Sequence, residues 1–253
     1  MNKTKIPWAD YTWNPISGCS PASEGCTNCY AQDIRKRFNG GDNSIQFHPA
    51  RVDEPFKVRK PSRIFVCSMG DLFHPDVSVT HLEEILAVMT NAPQHTFMVL
   101  TKRPERFGLL TTDRLRISRT DTWPIKNLWL GVTCENQARA DERIPLLLQT
   151  PAAVRFVSIE PMLGPVDLWR MPTLPGYGYG MASPLNVQAD LRREITSLDW
   201  VICGPETGPR KRAFDEDWAR SLLDQCAAAN VAFFYKGGLL DGVKYEAFPE
   251  AHP

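Results

Sequence analysis

A chain of 253 residues, 43% of them hydrophobic, is long enough to bury a full core as one large domain or two small ones. Its 29 Lys and Arg balance 29 Asp and Glu, which excludes the cationic surplus of a general nucleic-acid coat or an anionic-membrane binder and leaves room only for focused contacts. No stretch reaches the roughly 18 uninterrupted apolar residues of a membrane span, and Met1-Asn2-Lys3-Thr4-Lys5-Ile6-Pro7 has no apolar signal core, so a cytoplasmic location without membrane contact is expected.

In chain order, the first informative segment runs from Trp13-Asn14-Pro15 through Gly18-Cys19 to Cys26-Thr27-Asn28-Cys29-Tyr30-Ala31. Three thiols lie within eleven residues, with six residues between the first pair and two between the second. In a reducing compartment such spacing points to metal chemistry before disulfides. Two metal groups use it: three thiolates can hold three irons of a four-iron cluster and leave one iron open, or three thiolates with a His or water can hold zinc. A helix is expected from Ala31 to Phe38, placing its N-terminal dipole beside Cys29. His48 is the first residue downstream able to serve as a fourth ligand. Arg35-Lys36-Arg37 and, much later, Arg210-Lys211-Arg212 are basic clusters that read as solvated faces, with nucleic-acid contact as the sharper alternative.

Residues 39–62 read as a long loop. The chain then alternates apolar runs with segments of helical period. The runs are residues 63–71, 96–101, 128–133, 154–159, 200–204 and 231–235. Leu82, Ile85, Leu86 and Met89 mark one helix; others are expected over 136–149 and 215–229. Alternation of this kind predicts an α/β fold with a parallel sheet, and a partial or complete (β/α) TIM-like barrel in a single domain covering 1–253. No Gly-x-Gly-x-x-Gly turn favours a doubly wound sheet. Residues 171–197 lack any period and read as an irregular insertion, a lid or hairpin.

In such barrels the site lies at the C-terminal ends of the strands. The polar residues that close the runs are therefore candidates: Ser68 and Asp71; Thr101, Lys102 and Arg103; Thr133 and Glu135; Glu160; Glu206; and Lys236. We take Lys102, Glu160 and Glu206 as catalytic candidates, and Ser68, Asp71, Arg103 and Glu135 as cofactor-binding ones. The adjacent cations Lys102 and Arg103 suit a carboxylate or phosphate. Cys67, Cys134 and Cys203 close three runs as buried thiols or an auxiliary metal site; Cys226 reads as core.

The segment Asn14-Pro15-x-x-Gly18-Cys19, followed by Cys26-x-x-Cys29-Tyr30-Ala31, resembles the opening of radical S-adenosylmethionine enzymes of the spore photoproduct lyase type. More of the chain resembles a phage-associated three-cysteine family with radical-enzyme features, through Trp8-Ala9-Asp10-Tyr11-Thr12-Trp13, Ser68-Met69-Gly70-Asp71-Leu72-Phe73, Val99-Leu100-Thr101-Lys102-Arg103-Pro104, Trp129-Leu130-Gly131-Val132, Glu135-Asn136-Gln137 and Glu160-Pro161-Met162-Leu163-Gly164-Pro165. The resemblance implies a partial barrel with the cysteine loop, residues 14–30, after the first strand. It also implies a 4Fe-4S cluster on Cys19, Cys26 and Cys29, S-adenosylmethionine on the open iron with Asn28 and Tyr30 as cofactor-binding candidates beside it, and radical chemistry on a substrate for which a nucleic acid or nucleotide is one candidate. The chain departs from those enzymes in its longer first cysteine spacing, in Asn28 where an aromatic residue is usual, and in the late position of Gly204-Pro205-Glu206. The competing functions are a non-catalytic zinc or cluster module that contacts a partner protein or nucleic acid, and a metal-independent barrel enzyme built on Glu160, Glu206 and Lys102.

Overall fold

The computed structural model describes residues 1–38, 40–111, 123–169, 185 and 197–250. The expected insertion at 171–197 therefore lies, apart from Leu185 and Ser197, outside the described residues. The chain groups into two compact units, Met1–Leu130 with Pro151–Ala153, and Gly131–Thr150 with Val154–Pro253.

The first unit begins with two short strands, β1 (Asn2–Lys3) and β2 (Tyr11–Trp13), followed by β3 (Ile16–Ser17) and helix α1 (Tyr30–Phe38). The expected loop at 39–62 holds strand β4 (Gln46–Phe47) and a single helical turn, α2 (Pro49–Val52). Then come β5 (Arg63–Val66), α3 (Val79–Asn91) and β6 (Thr96–Thr101). β2, β5 and β6 pair in parallel, with β1 antiparallel to β2 at the edge. The apolar face of α3 explains the helix: Leu82, Ile85, Leu86 and Met89 are all buried, and the Ser78 hydroxyl caps its N-terminus by accepting from the His81 N–H at 3.2 Å. Trp13 is fully buried, and its indole N–H donates to the Arg51 carbonyl at 2.8 Å, so α2 satisfies the polar atom of that core residue.

Strand β7 (Leu128–Thr133) spans the boundary between the units. The second unit continues with α4 (Gln137–Leu148), β8 (Val154–Ile159), β9 (Trp200–Cys203), α5 (Glu216–Ala229) and β10 (Ala232–Tyr235). β8, β9 and β10 are parallel neighbours, and their buried runs read as continuous apolar stretches because both faces are covered. Asn136 and Asp215 cap α4 and α5, accepting from the N–H of Arg139 at 3.1 Å and of Asp217 at 3.0 Å. Asn230 ends α5 in the left-handed region at φ 56°. The fold is thus mixed α/β with mostly parallel strands.

Candidate metal centre

The cysteine loop is built entirely within the first unit. β3 pairs antiparallel with β4, fixing the chain that leads into the loop. Gly18 then threads a narrow gap: its N–H donates to the Met69 carbonyl at 3.2 Å, and the next N–H, of Cys19, donates to the Asn43 carbonyl at 3.2 Å. Its φ is +105°, and a Cβ there would sit 2.1 Å from the Ser44 carbonyl oxygen, so only glycine fits. Gly18→Ala is expected to cost at least about 2 kcal/mol and to loosen the first thiol, read as a lower urea midpoint together with reduced iron uptake.

Cys19 lies at the centre of a polar brace. Arg103, from the end of β6, places Nη1 3.6 Å from Cys19 Sγ and 3.0 Å from Asp71 Oδ2, while Nη2 donates to the Ser20 carbonyl at 2.7 Å and hydroxyl at 3.0 Å. Asp71, just after β5, also accepts from the Thr101 hydroxyl at 2.7 Å, the Phe73 N–H at 3.0 Å and the Lys102 N–H at 3.4 Å. Both charged side chains are buried, at 8% and 7% exposure, so this pair ties two strand ends to the loop in a medium where charge interacts strongly. Burial opposes the Arg103 charge, but Asp71 and Cys19 outweigh it and hold its pKa above the usual value. The Cys19 thiol is pushed up, first by burial and then by Asp71, with Arg103 acting in the other direction.

Cys26 Sγ accepts from the Ala22 N–H at 3.4 Å. The Cys29 carbonyl takes the first helical N–H groups of α1, those of Gln32 at 3.1 Å and Asp33 at 3.2 Å, so the third thiol belongs to the residue that caps the helix. Tyr30 donates its hydroxyl to the Ser68 carbonyl at 2.6 Å, and the Asn14 side chain accepts from the Ser68 hydroxyl at 3.2 Å and the Met69 N–H at 2.9 Å. The structure thus brings Cys19, Ser20, Asp71, Thr101 and Arg103 together, with Asn14, Tyr30 and Ser68 joined through the Ser68–Met69 backbone. Asn28 is half-buried in the loop, and Lys102 is half-buried beside Arg103.

All seven cysteines are free thiols, and the three of the loop are half-buried. Among the described residues no three His, Cys, Asp or Glu side chains form a group able to hold a metal ion. Thiolates that each bind a separate iron of a cluster need not converge on one point as ligands of a single ion do. The donor set itself, three soft thiols on a backbone braced from both sides, fits such a cluster.

Two further residues of the site were not among its sequence candidates, His74 because it follows apolar residues without ligand spacing. His74 places Nε2 2.8 Å from the Ser20 hydroxyl, and its Nδ1 accepts from the Asp76 N–H at 3.2 Å, which assigns the neutral tautomer with the proton on Nε2. Arg35 was expected on a solvated face with Lys36 and Arg37. Those two are exposed, but Arg35 is buried at 6%, because α1 turns that position toward Met69 and the loop. His48 hydrogen bonds the Ser17 hydroxyl at 2.7 Å. Both histidines are held below the usual pKa by burial, helped by Arg51 and Arg35 at His48 and by Arg103 at His74. With the folded pKa depressed, their contribution to stability is complete above the unfolded value of about 6.5 and is lost as pH falls through the folded one. The urea midpoint is therefore expected to fall from about pH 7 toward pH 5, and the slope to flatten when both residues are changed to Gln.

In the second unit each candidate carboxylate faces its own cation. Glu135 is fully buried against Arg143 at 3.0 Å, and Arg143 also donates to the Thr133 carbonyl at 2.6 Å. Glu160 meets Lys236 at 2.5 Å, and Glu206 is gripped by the Arg212 N–H, Nε and Nη2 at 2.8, 2.9 and 2.6 Å. Cys67, at φ 57° after β5, is buried with its thiol pushed up to about 12; Cys134 and Cys203 are buried as well. Burial also pushes up the thiols of Cys203 and Cys226, the latter to about 12.

The mixed α/β fold is similar to that of two solved structures of spore photoproduct lyase. One is a cysteine-to-serine variant, at 12% identity and a TM-score of 0.51; the other is the lyase complexed with dinucleoside spore photoproduct, at 12% identity and 0.52. In each case the likeness covers 90% of this chain and 75% of that one. At that identity the likeness is one of fold. The chain belongs to the family described as "Protein of unknown function (DUF5131)", whose model matches residues 3–243. Among curated proteins none matches.

Proposed function

We propose that this chain is an iron–sulfur protein of the radical S-adenosylmethionine type, acting as one partial β/α barrel domain over residues 1–253 in the reducing cytoplasm. The observation that carries the reading is the braced loop, in which three free thiols precede α1 and the first is held by the buried Arg103–Asp71 pair. Cys19, Cys26 and Cys29 would hold a 4Fe-4S cluster. When bound, that cluster supplies an electron for reductive cleavage of S-adenosylmethionine and so starts radical chemistry. Asn28, Tyr30 and Ser68 stand at the loop as cofactor contacts, with Asp71 and Arg103 supporting them from within. Lys102, whose ammonium has no hydrogen-bond or ion-pair partner among the described residues, is the cation left for a carboxylate or phosphate. Glu135, Glu160 and Glu206 remain candidates whose charges are already balanced. A nucleotide or nucleic-acid substrate is supported by the lyase of like fold, which was solved with a dinucleoside photoproduct.

The test is electron paramagnetic resonance of anaerobically reconstituted, dithionite-reduced protein with and without S-adenosylmethionine, followed by assay for methionine and 5'-deoxyadenosine. A four-iron signal that changes with the cofactor, and both products, are expected. A cluster indifferent to the cofactor leaves a metal module, and about one equivalent of tightly bound zinc with no iron uptake overturns the reading.

A further inference from the structure

Arg35 is a buried charge without an acid to match it. Its guanidinium donates through Nη2 to the Met69 carbonyl, and among the described residues it forms no ion pair. Stripping a cation of water costs several kcal/mol even after relaxation, so a buried Arg normally sits against an anion. Asp42 is within electrostatic reach, but it is exposed, and its carboxylate is engaged by the Ser44 N–H at 2.8 Å and the Gln46 amide at 3.4 Å. The Met69 carbonyl that accepts from Arg35 also accepts from the Gly18 N–H at 3.2 Å, next to Cys19, and α1, which carries Arg35, begins right after Cys29; among the described residues these two thiols are the other groups within its electrostatic reach able to carry negative charge. Burial lowers the Arg35 pKa, and these two cysteines pull it back toward the charged form. Arg103 does not perform the same task, because Asp71 already neutralises it at 3.0 Å. A buried guanidinium with no carboxylate in hydrogen-bond contact thus sits beside the backbone that leads into the loop, where an anionic metal–thiolate group would balance it.

We propose that Arg35 is the counter-charge of the three-cysteine site: it neutralises the thiolates of the loaded loop and, as a fixed cation beside the metal group, raises its reduction potential. The inference rests on the metal-site reading above. A neighbouring positive charge favours the more negative, reduced state, so removing it lowers the potential.

The experiment is a redox titration of reconstituted protein, with iron and sulfide content measured on the same samples, for wild type, Arg35→Met, Arg35→Lys and Arg37→Met. Arg35→Met is expected to change the oxidised-to-reduced ratio at fixed potential about tenfold, which is about 59 mV downward for one electron. Arg35→Lys keeps the charge and is expected to recover most of that shift; the exposed Arg37 is expected to contribute little. Should Arg35→Met take up no iron, restored uptake in Arg35→Lys but not in Arg35→Gln supports the counter-charge role, and equal loss in all three overturns it. A cluster whose potential is the same in wild type and Arg35→Met overturns the inference alone. Failure of the wild type to take up iron and sulfide overturns the metal-site reading itself, and this inference with it.

Discussion

Arg103→Met is expected to destabilise the protein by about 3–5 kcal/mol, since it leaves Asp71 buried with an uncompensated charge. Four donors reach the Asp71 carboxylate, and the strongest electrostatic one disappears. The same substitution releases Ser20 from two hydrogen bonds and Cys19 from its nearest cation, so iron uptake is expected to fall with stability. Arg103→Met combined with Asp71→Leu separates the two effects. Removing both charges relieves the desolvation penalty and is expected to recover a large part of the stability in urea melts, while the loop, still untethered, takes up iron poorly. Full recovery of both would show that Arg103 serves the fold and not the loop.

The second large effect falls on metal content and not on stability. Ala at Cys19, Cys26 or Cys29, one at a time, is expected to reduce the iron retained after anaerobic reconstitution at least about tenfold, because a missing thiolate leaves an iron of the cluster without its protein ligand. The thiols are only half-buried, so the metal-free variants are expected to melt within about 0.5 kcal/mol of the parent. Cys226→Ala should show the reverse pattern. This side chain lies on the buried face of α5, and its loss is expected to cost about 1–2 kcal/mol and leave iron content intact. Absorbance of the reconstituted cluster and a urea melt on the same samples distinguish the two classes. Retention of iron by a Cys29→Ala variant would remove that residue from the ligand set.

Much of the fold follows from pattern. β6, β7 and β8 occupy the apolar runs at 96–101, 128–133 and 154–159, and Asn136 and Asp215 cap the helices they were expected to begin. These elements are legible because a buried strand must be apolar throughout and a helix start must supply an acceptor for its free N–H groups. β2 was not legible. Three residues carry no period, and Tyr11–Trp13 becomes a strand by pairing with β1 on one side and β5 on the other. β3 and β4 likewise exist through each other, across a stretch that reads as loop.

The candidate site divides in the same way. The soft-donor chemistry of Cys19, Cys26 and Cys29 is a property of residue type and spacing, which one stretch of chain carries by itself. The partners of that stretch are not. Asp71, Thr101 and Arg103 reach the loop from the ends of β5 and β6; His74 reaches Ser20, and α1 turns Arg35 inward to the Met69 carbonyl while Lys36 and Arg37 stay in water. A sequence registers the charge of an Arg but not whether it is hydrated, since that depends on which face of a helix meets another element. The chain alone therefore determined which atoms can bind a metal, and the tertiary structure decided which charges surround them, because burial and pairing arise only when distant segments pack.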